Sequence, residues 1–166
     1  MNLNKTLLIA ALAGGSIVSF PHIVKATTTS GTANAILRAA ISLVENTQLD
    51  FDTIDADVAG DTITITPAGT VTATGSSVAS GSPAAGAWSA TGDASAAVTV
   101  SFSVGDTLTG PGTAMPLNNF AHDAGGTPAF DGGGALAFAV GADLTVGAAQ
   151  TAGTYSGSYD VTVDYQ

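Results

Sequence analysis

Five acids fall within twelve residues of this chain: Asp50, Asp52, Asp55, Asp57 and Asp61. Calcium is held by several carboxylate and carbonyl oxygens gathered on one loop, so this cluster is the best metal candidate. Asp50 and Asp52 share parity and could point the same way. No EF-hand or repeat spacing accompanies them, and acids at a strand edge read more simply as a solvated face. We therefore expect no metal site and no cofactor. His122 precedes Asp123, and serines abound, so a Ser–His–Asp set can be written on paper. No nucleophile elbow surrounds any serine, and a solvent-exposed loop histidine is the simpler reading. Paired carboxylates of the glycosidase kind reduce in the same way to acids in turns. Trp88 could offer a flat face to a sugar ring, yet a lone tryptophan in an alternating strand is more simply core. We assign no catalytic residue and expect no enzyme.

These residues sit on short alternating runs. Ile63 and Ile65 alternate with threonines, and Pro67-Ala68-Gly69 turns the chain. Val71 and Ala73 form the next run, and Trp88 and Ala90 lie between Gly86 and Gly92. Val98, Val100, Phe102 and Val104 alternate with Thr and Ser. Met115 and Leu117 mark a short strand ending before Asn118-Asn119. Leu136, Phe138, Val140, Leu144 and Val146 share one parity, with a bulge expected at Gly141. The stretch Ala33–Val44 carries Ala and Leu enough for a helix, but parity favours a strand with Ala33, Ala35, Leu37, Ala39, Ile41 and Leu43 on one side. Turn clusters such as Gly110-Pro111-Gly112 and Asp131–Gly134 punctuate the runs. This pattern predicts an all-β fold, an immunoglobulin-like antiparallel β-sandwich.

The N-terminus reads as a targeting segment. Lys5 precedes an uncharged apolar stretch, Thr6–Phe20, and Val24-Lys25-Ala26 offers a cleavage site after Ala26. The competing reading, a membrane anchor, is weakened by the stretch's shortness and by Gly14-Gly15. Residues 1–26 are thus expected to be a signal peptide, 27–37 an N-terminal arm and 38–166 the sandwich domain. Cleavage would leave 140 residues and lower the formal charge from −10 to −12, with Arg38 the one remaining Lys or Arg. So acidic a surface is a poor partner for nucleic acid or anionic lipid, and no membrane insertion is expected. The chain has no cysteine, so neither a disulfide nor a thiolate metal site can form.

The last fourteen residues are the most regular. Gly153, Tyr155, Gly157, Tyr159, Val161, Val163 and Tyr165 share one parity, and Thr, Ser and Asp fill the other. This predicts one long half-buried strand from Gly153 to Gln166. Gly153 is fourteenth from the C-terminus and Tyr165 is penultimate. Such an ending resembles the β-zipper of chaperone–usher pilus subunits and the ending of spore-coat-protein-U-like secreted domains. Over most of the chain the sequence is similar to the secreted family called domain of unknown function 4402. That likeness rests on Leu49–Ile54, Ile65–Gly69, Phe120, Val140–Val146, Gln150 and the final strand.

The pilus resemblance implies a sandwich lacking one strand, the gap being filled by the N-terminal extension of the next subunit. The expected donor is residues 27–37, with Ala33, Ala35 and Leu37 as pocket fillers. Gly153, Tyr155, Tyr159, Val161, Val163 and Tyr165 form the receiving side. It further implies self-assembly into a polymer, a periplasmic chaperone, and a location at the cell surface or in an extracellular filament reached through the periplasm. The small donor residues and the missing disulfide depart from the pilus pattern. The alternative expectation is a monomeric secreted adhesin or carbohydrate-binding module.

Overall fold

The computed structural model describes residues 25–166, and the expected signal peptide lies almost wholly in residues 1–24, outside them. Two compact units divide the chain, Met1–Ala35 and Ile36–Gln166. Of the first, Lys25–Ala35 is described, and it is exposed with no regular secondary structure. The second unit holds eleven strands: β1 (Ser42–Thr47), β2 (Thr53–Asp55), β3 (Asp61–Ile65), β4 (Val71–Ala73), β5 (Val78–Ser80), β6 (Gly86–Thr91), β7 (Val98–Phe102), β8 (Asp106–Leu108), β9 (Met115–His122), β10 (Ala135–Val146) and β11 (Val161–Tyr165). No helix occurs among the described residues, so none there is long and apolar enough to cross a membrane.

The architecture is an immunoglobulin-like antiparallel β-sandwich. Its larger layer is one curled sheet of seven strands in the order β1-β6-β10-β3-β4, with β9 joined to β10 and β8 to β9. The opposite layer is two separate pairs, β7 with β11 and β2 with β5. Strand β10 organises the large sheet. Its first half pairs with β6, from Ala135↔Thr91 to Val140↔Gly86, and its second half with β3, from Ala142↔Ile65 to Val146↔Asp61. The β9–β10 register shifts where Asn119 and Phe120 of β9 lie opposite Ala142 alone, so the extra residue is on β9, with Asn119 at φ 51°, and not on β10 at Gly141, where it was expected. A side chain there is excluded, because a Cβ would run into the Ile65 carbonyl. The bulge bends the sheet where its partners change.

Alternation decides what is buried. Ile63 and Ile65 are almost completely enclosed, and Phe138, Val140, Ala142, Leu144 and Val146 are buried along β10. Two clusters result. One joins β3, β9 and the end of β10 to Phe51, with Ile54 and Ala79 of the β2–β5 pair packed on it. The other joins β6 and the start of β10 to Val98, Val163 and Phe130. Phe120 and Tyr159 touch both clusters, and their rings stack with centroids 4.9 Å apart.

Four further expectations need correction. The strand expected over Ala33–Val44 begins only at Ser42, and Ile36 and Leu37 are 94% and 97% exposed. Parity marks a face only where a partner strand exists, and here β6 meets Ser42–Thr47 alone. The strand expected to include Val104 stops at Phe102, leaving Val104 exposed beside Gly105, a positive-φ turn glycine. Strand β9 does not end before Asn118 but runs to His122, carried through Asn119 at φ 51° by its pairing with β10. The final strand is formal β structure only over Val161–Tyr165. Its partner side explains the difference: β7 matches it residue for residue from Val161↔Phe102 to Tyr165↔Val98, after which the chain turns at 103–105 and meets it again only at Ser156↔Thr109.

Candidate functional groove

The final segment keeps its alternation where it leaves the ladder. Tyr155, Tyr159, Val161, Val163 and Tyr165 are buried or half-buried, and Thr154, Ser156, Ser158, Asp160, Thr162 and Asp164 are exposed. One edge of Ser156–Tyr165 is covered along its length by residues 98–109. Ser156 exchanges two backbone hydrogen bonds with Thr109, and Ser103 donates its N–H to the Asp160 carbonyl at 3.0 Å. No strand pairs with the other edge among the described residues. There, too, the N–H groups of Tyr155, Gly157 and Tyr159 find no backbone carbonyl.

That edge borders a groove of about 1120 Å³. One bank is Gln150–Tyr159 and the other is Gln48–Ala56, which includes β2. The groove therefore divides the two strand pairs of the broken layer. Its floor comes from the large sheet: Met115 and Leu117 of β9, and Leu144 and Val146 of β10. Trp88 and Tyr159 line it as well. Acids stand on its walls, Glu45, Asp50, Asp52 and Asp55, and no Lys, Arg or His is among the lining residues.

The terminal bank is built from glycines and tyrosines that need each other. Gly153 has φ +150°, a conformation that side chains avoid, and a Cβ there would lie 2.5 Å from Pro111 Cγ. The Tyr155 ring lies over Gly110 and Gly112, and its hydroxyl donates to the Thr151 carbonyl at 2.8 Å. The Tyr159 hydroxyl accepts from Trp88 Nε1 at 3.3 Å. Burial pushes the Tyr159 phenol up from its ordinary pKa; the Trp88 hydrogen bond opposes the shift and the Glu45 charge adds to it.

The structure separates the acid cluster into individual backbone braces. Asp50 Oδ1 accepts from Asp52 N at 2.8 Å, and Asp57 Oδ1 from Ala59 N at 2.9 Å. Asp52 Oδ2 accepts from Ser82 N at 2.7 Å, which with the Thr53 hydroxyl holds its carboxyl below the usual range. Asp61 is buried and accepts from the Thr74 hydroxyl and from the N–H groups of Gly75 and Ser77, tying β3 to the loop before β5. The Thr74 bond leads these in holding its carboxyl well below the ordinary value, against the opposing effect of burial. No group of three His, Asp or Glu side chains is placed to share an ion among the described residues.

His122 is not the exposed loop residue expected. It ends β9, half-buried, with Phe102 and Phe138 at ring centroid distances of 6.0 and 6.3 Å. Its Nδ1 is buried without a hydrogen-bond partner in the described structure. The register Val140↔His122 draws it inward, a long-range pairing that local sequence does not report. Trp88 is half-buried in β6 and packs on the second cluster, as its strand position indicated. Of the nine residues expected to act in assembly, Gly153, Tyr155, Tyr159, Val161, Val163 and Tyr165 lie along one edge, of which residues 153–159 form a groove bank. Ala33, Ala35 and Leu37 are exposed and outside any strand. The second bank was missed, because Ile54 lies in a strand of three residues and Phe51 just before it, both among acids. Only the alternation of Phe51 with Asp50 and Asp52 hinted at it.

The family described as Domain of unknown function (DUF4402) matches residues 41–165. This chain belongs to the DUF4402 family. The match covers β1 to β11, begins after Arg38 and Ala39 at the root of the arm, and ends at Tyr165. No curated protein and no solved structure matches the chain significantly.

Proposed function

We propose that this DUF4402 protein is a non-catalytic structural subunit of an extracellular fibre or surface matrix, assembled by β-strand complementation. The observation that carries this reading is the groove between two backbone banks, with the edge of Tyr155–Tyr165 unpaired beside it. An inserted strand would bond to that edge and set alternate side chains on the floor made by Met115, Leu117 and Leu144. The floor residues are already mostly covered, so small side chains suit the space. Residues 27–37 have that composition: their apolar members are Ala33, Ala35, Ile36 and Leu37, and they carry no charge. Ile36 and Leu37 stand in solvent, as a donor awaiting its acceptor would.

Donation from one copy to the next joins unlike surfaces and does not close, so it generates a filament. An unpaired edge of this length also invites aggregation, which a periplasmic chaperone would prevent during export. The test is electrophoresis of purified surface material with and without boiling. A heat-sensitive ladder that disappears when residues 27–37 are deleted is the expected result. A single monomer band under both conditions overturns it.

A second reading, a monomeric carbohydrate-binding module, draws on Trp88 and four acids lining the same groove. A glycan array run with and without calcium decides it, binding by a strictly monomeric protein being the supporting outcome.

A further inference from the structure

The root of the arm is fastened at a definite place. The Tyr165 hydroxyl donates to the Ala39 carbonyl at 3.0 Å and accepts from Asp93 N at 2.7 Å. Asp93 Oδ1 in turn accepts from Ala39 N at 2.9 Å. The Arg38 guanidinium lies 4.8 Å from the centroid of the Tyr165 ring, and its Nη1 donates to the Gln166 carbonyl at 3.3 Å. Both backbone polar groups of Ala39 are thus held, one by the penultimate tyrosine and one by its partner aspartate. The Tyr165 ring is itself set edge-on to buried Phe130, with centroids 5.9 Å apart. The arm therefore leaves the domain at the tip of the final strand.

That tip is the wrong end for filling the groove of the same molecule. The groove bank stops at Tyr159, six residues before Tyr165, or about 20 Å at strand rise. Leu37, Ala35 and Ala33 lie one, three and five residues from Arg38, and so reach at most about 17 Å from it. Ala33 comes at most level with Tyr159 and Trp88 at the near end. Every apolar alternate residue of the arm falls short of the floor, since Leu144, with its partner Leu117, lies six residues farther along β10 than Phe138, the partner of Trp88. The residues that could arrive are Thr27–Thr32, whose hydroxyls would be set over Met115, Leu117 and Leu144 without partners.

We propose that the Arg38–Tyr165–Asp93 clamp determines the register of assembly, by barring Ala33, Ala35 and Leu37 from the floor of their own groove and reserving them for a second copy of the chain. This rests on the strand-complementation reading and specifies its partner. The second copy suits the groove in charge as well. Glu45, Asp50, Asp52 and Asp55 repel an acidic strand, and residues 27–37 carry no acid and lead into the basic Arg38.

Engineered cysteines test this cleanly, because the described chain has none. Asn34→Cys supplies the outward face of the arm and Ser158→Cys the exposed rim of the groove bank, so that the two thiols share one face when the strands pair. With both in one chain, oxidised at low concentration, the disulfides should join different molecules. Mixing the two single variants should yield the cross-linked pair. A double variant that closes mainly within itself overturns the clamp and leaves strand complementation standing. Absence of any disulfide in both arrangements removes both proposals. Adding Tyr165→Phe, which keeps the ring and deletes two hydrogen bonds, should raise the ratio of internal to intermolecular disulfide by about fivefold or more. An unchanged ratio in a variant with wild-type circular dichroism also overturns the clamp.

Discussion

Trp88 Nε1 donates to the hydroxyl of Tyr159 across 3.3 Å, with the two rings edge-on at 71° and their centroids 6.2 Å apart. Trp88 belongs to the large sheet, and Tyr159 to the segment where the final strand has lost its ladder. The bond ties the two layers together beside the groove. Tyr159 continues the contact inward through Phe120, which stacks on Phe102 at 5.4 Å. The Tyr159 side chain thus spans both core clusters while its backbone N–H remains without a backbone partner.

Replacing Trp88 with Phe deletes the donor that favours the Tyr159 phenolate. The Tyr159 pKa, already raised by burial, should rise further, which absorbance titration near 295 nm can follow. A phenol that ionises less readily when folded contributes stability fully present below the unfolded tyrosine value near 10 and lost as pH rises through the folded one. The wild-type domain should accordingly lose stability above about pH 10, in urea titrations at graded pH. Trp88→Ala should cost about 3–5 kcal/mol through the cavity it leaves, reduced because the residue is only half-buried.

Asp61 predicts the acid limb. Its carboxyl is held low by the Thr74 hydroxyl and the N–H groups of Gly75, Ser77 and Thr62. A carboxylate depressed in the folded state contributes stability above the unfolded value near 4, lost as pH falls below that value. Asp61→Asn should therefore lower the urea midpoint at neutral pH and flatten its dependence on pH below about 4. A mutant whose acid limb overlays wild type would show that this carboxylate does not brace the 74–77 loop.

Gly153→Ala should destabilise the domain by about 1–3 kcal/mol, since alanine must adopt φ near +150° or move the terminal bank off Pro111. Gly126→Ala, where nothing lies within 4 Å of an added Cβ, serves as the control and should stay within about 0.5 kcal/mol of wild type. Equal midpoints for the two variants would contradict the strained conformation assigned to Gly153.

The alternating residues of the core should follow their burial. Ile63→Val, at 0% exposure, should cost about 0.5–1.5 kcal/mol, and Val163→Ala in the final strand should cost about 1–3 kcal/mol. Val104, which shares the parity of its strand but is 94% exposed, should tolerate serine within about 0.5 kcal/mol. A Val104→Ser penalty as large as that of Val163→Ala would place Val104 inside the sandwich after all.

The sequence by itself determined the β class, most strands and the inward faces of β3, β7, β10 and the terminal segment. It could do so because period-two alternation is local and survives in any antiparallel sandwich. The bulge was misplaced at Gly141: the parity of β10 runs unbroken through that glycine, and the extra residue sits across the ladder at Asn119–Phe120 of β9. Pairing is not local, and only tertiary structure decided it. Parity spoke equally for Ala33–Leu43 and for Tyr155–Tyr165. The first found β6 only from Ser42 onward, while the second was caught on one edge by residues 98–109 and left open on the other. The second bank, the inward turn of His122 and the Ala39–Tyr165 clamp each depend on residues far apart in the chain. Gly153 and Tyr165 stood out first for their distances from the C-terminus. The fold supplies the physical grounds: Pro111 leaves no room for a side chain at one, and at the other a hydroxyl closes on the root of the arm.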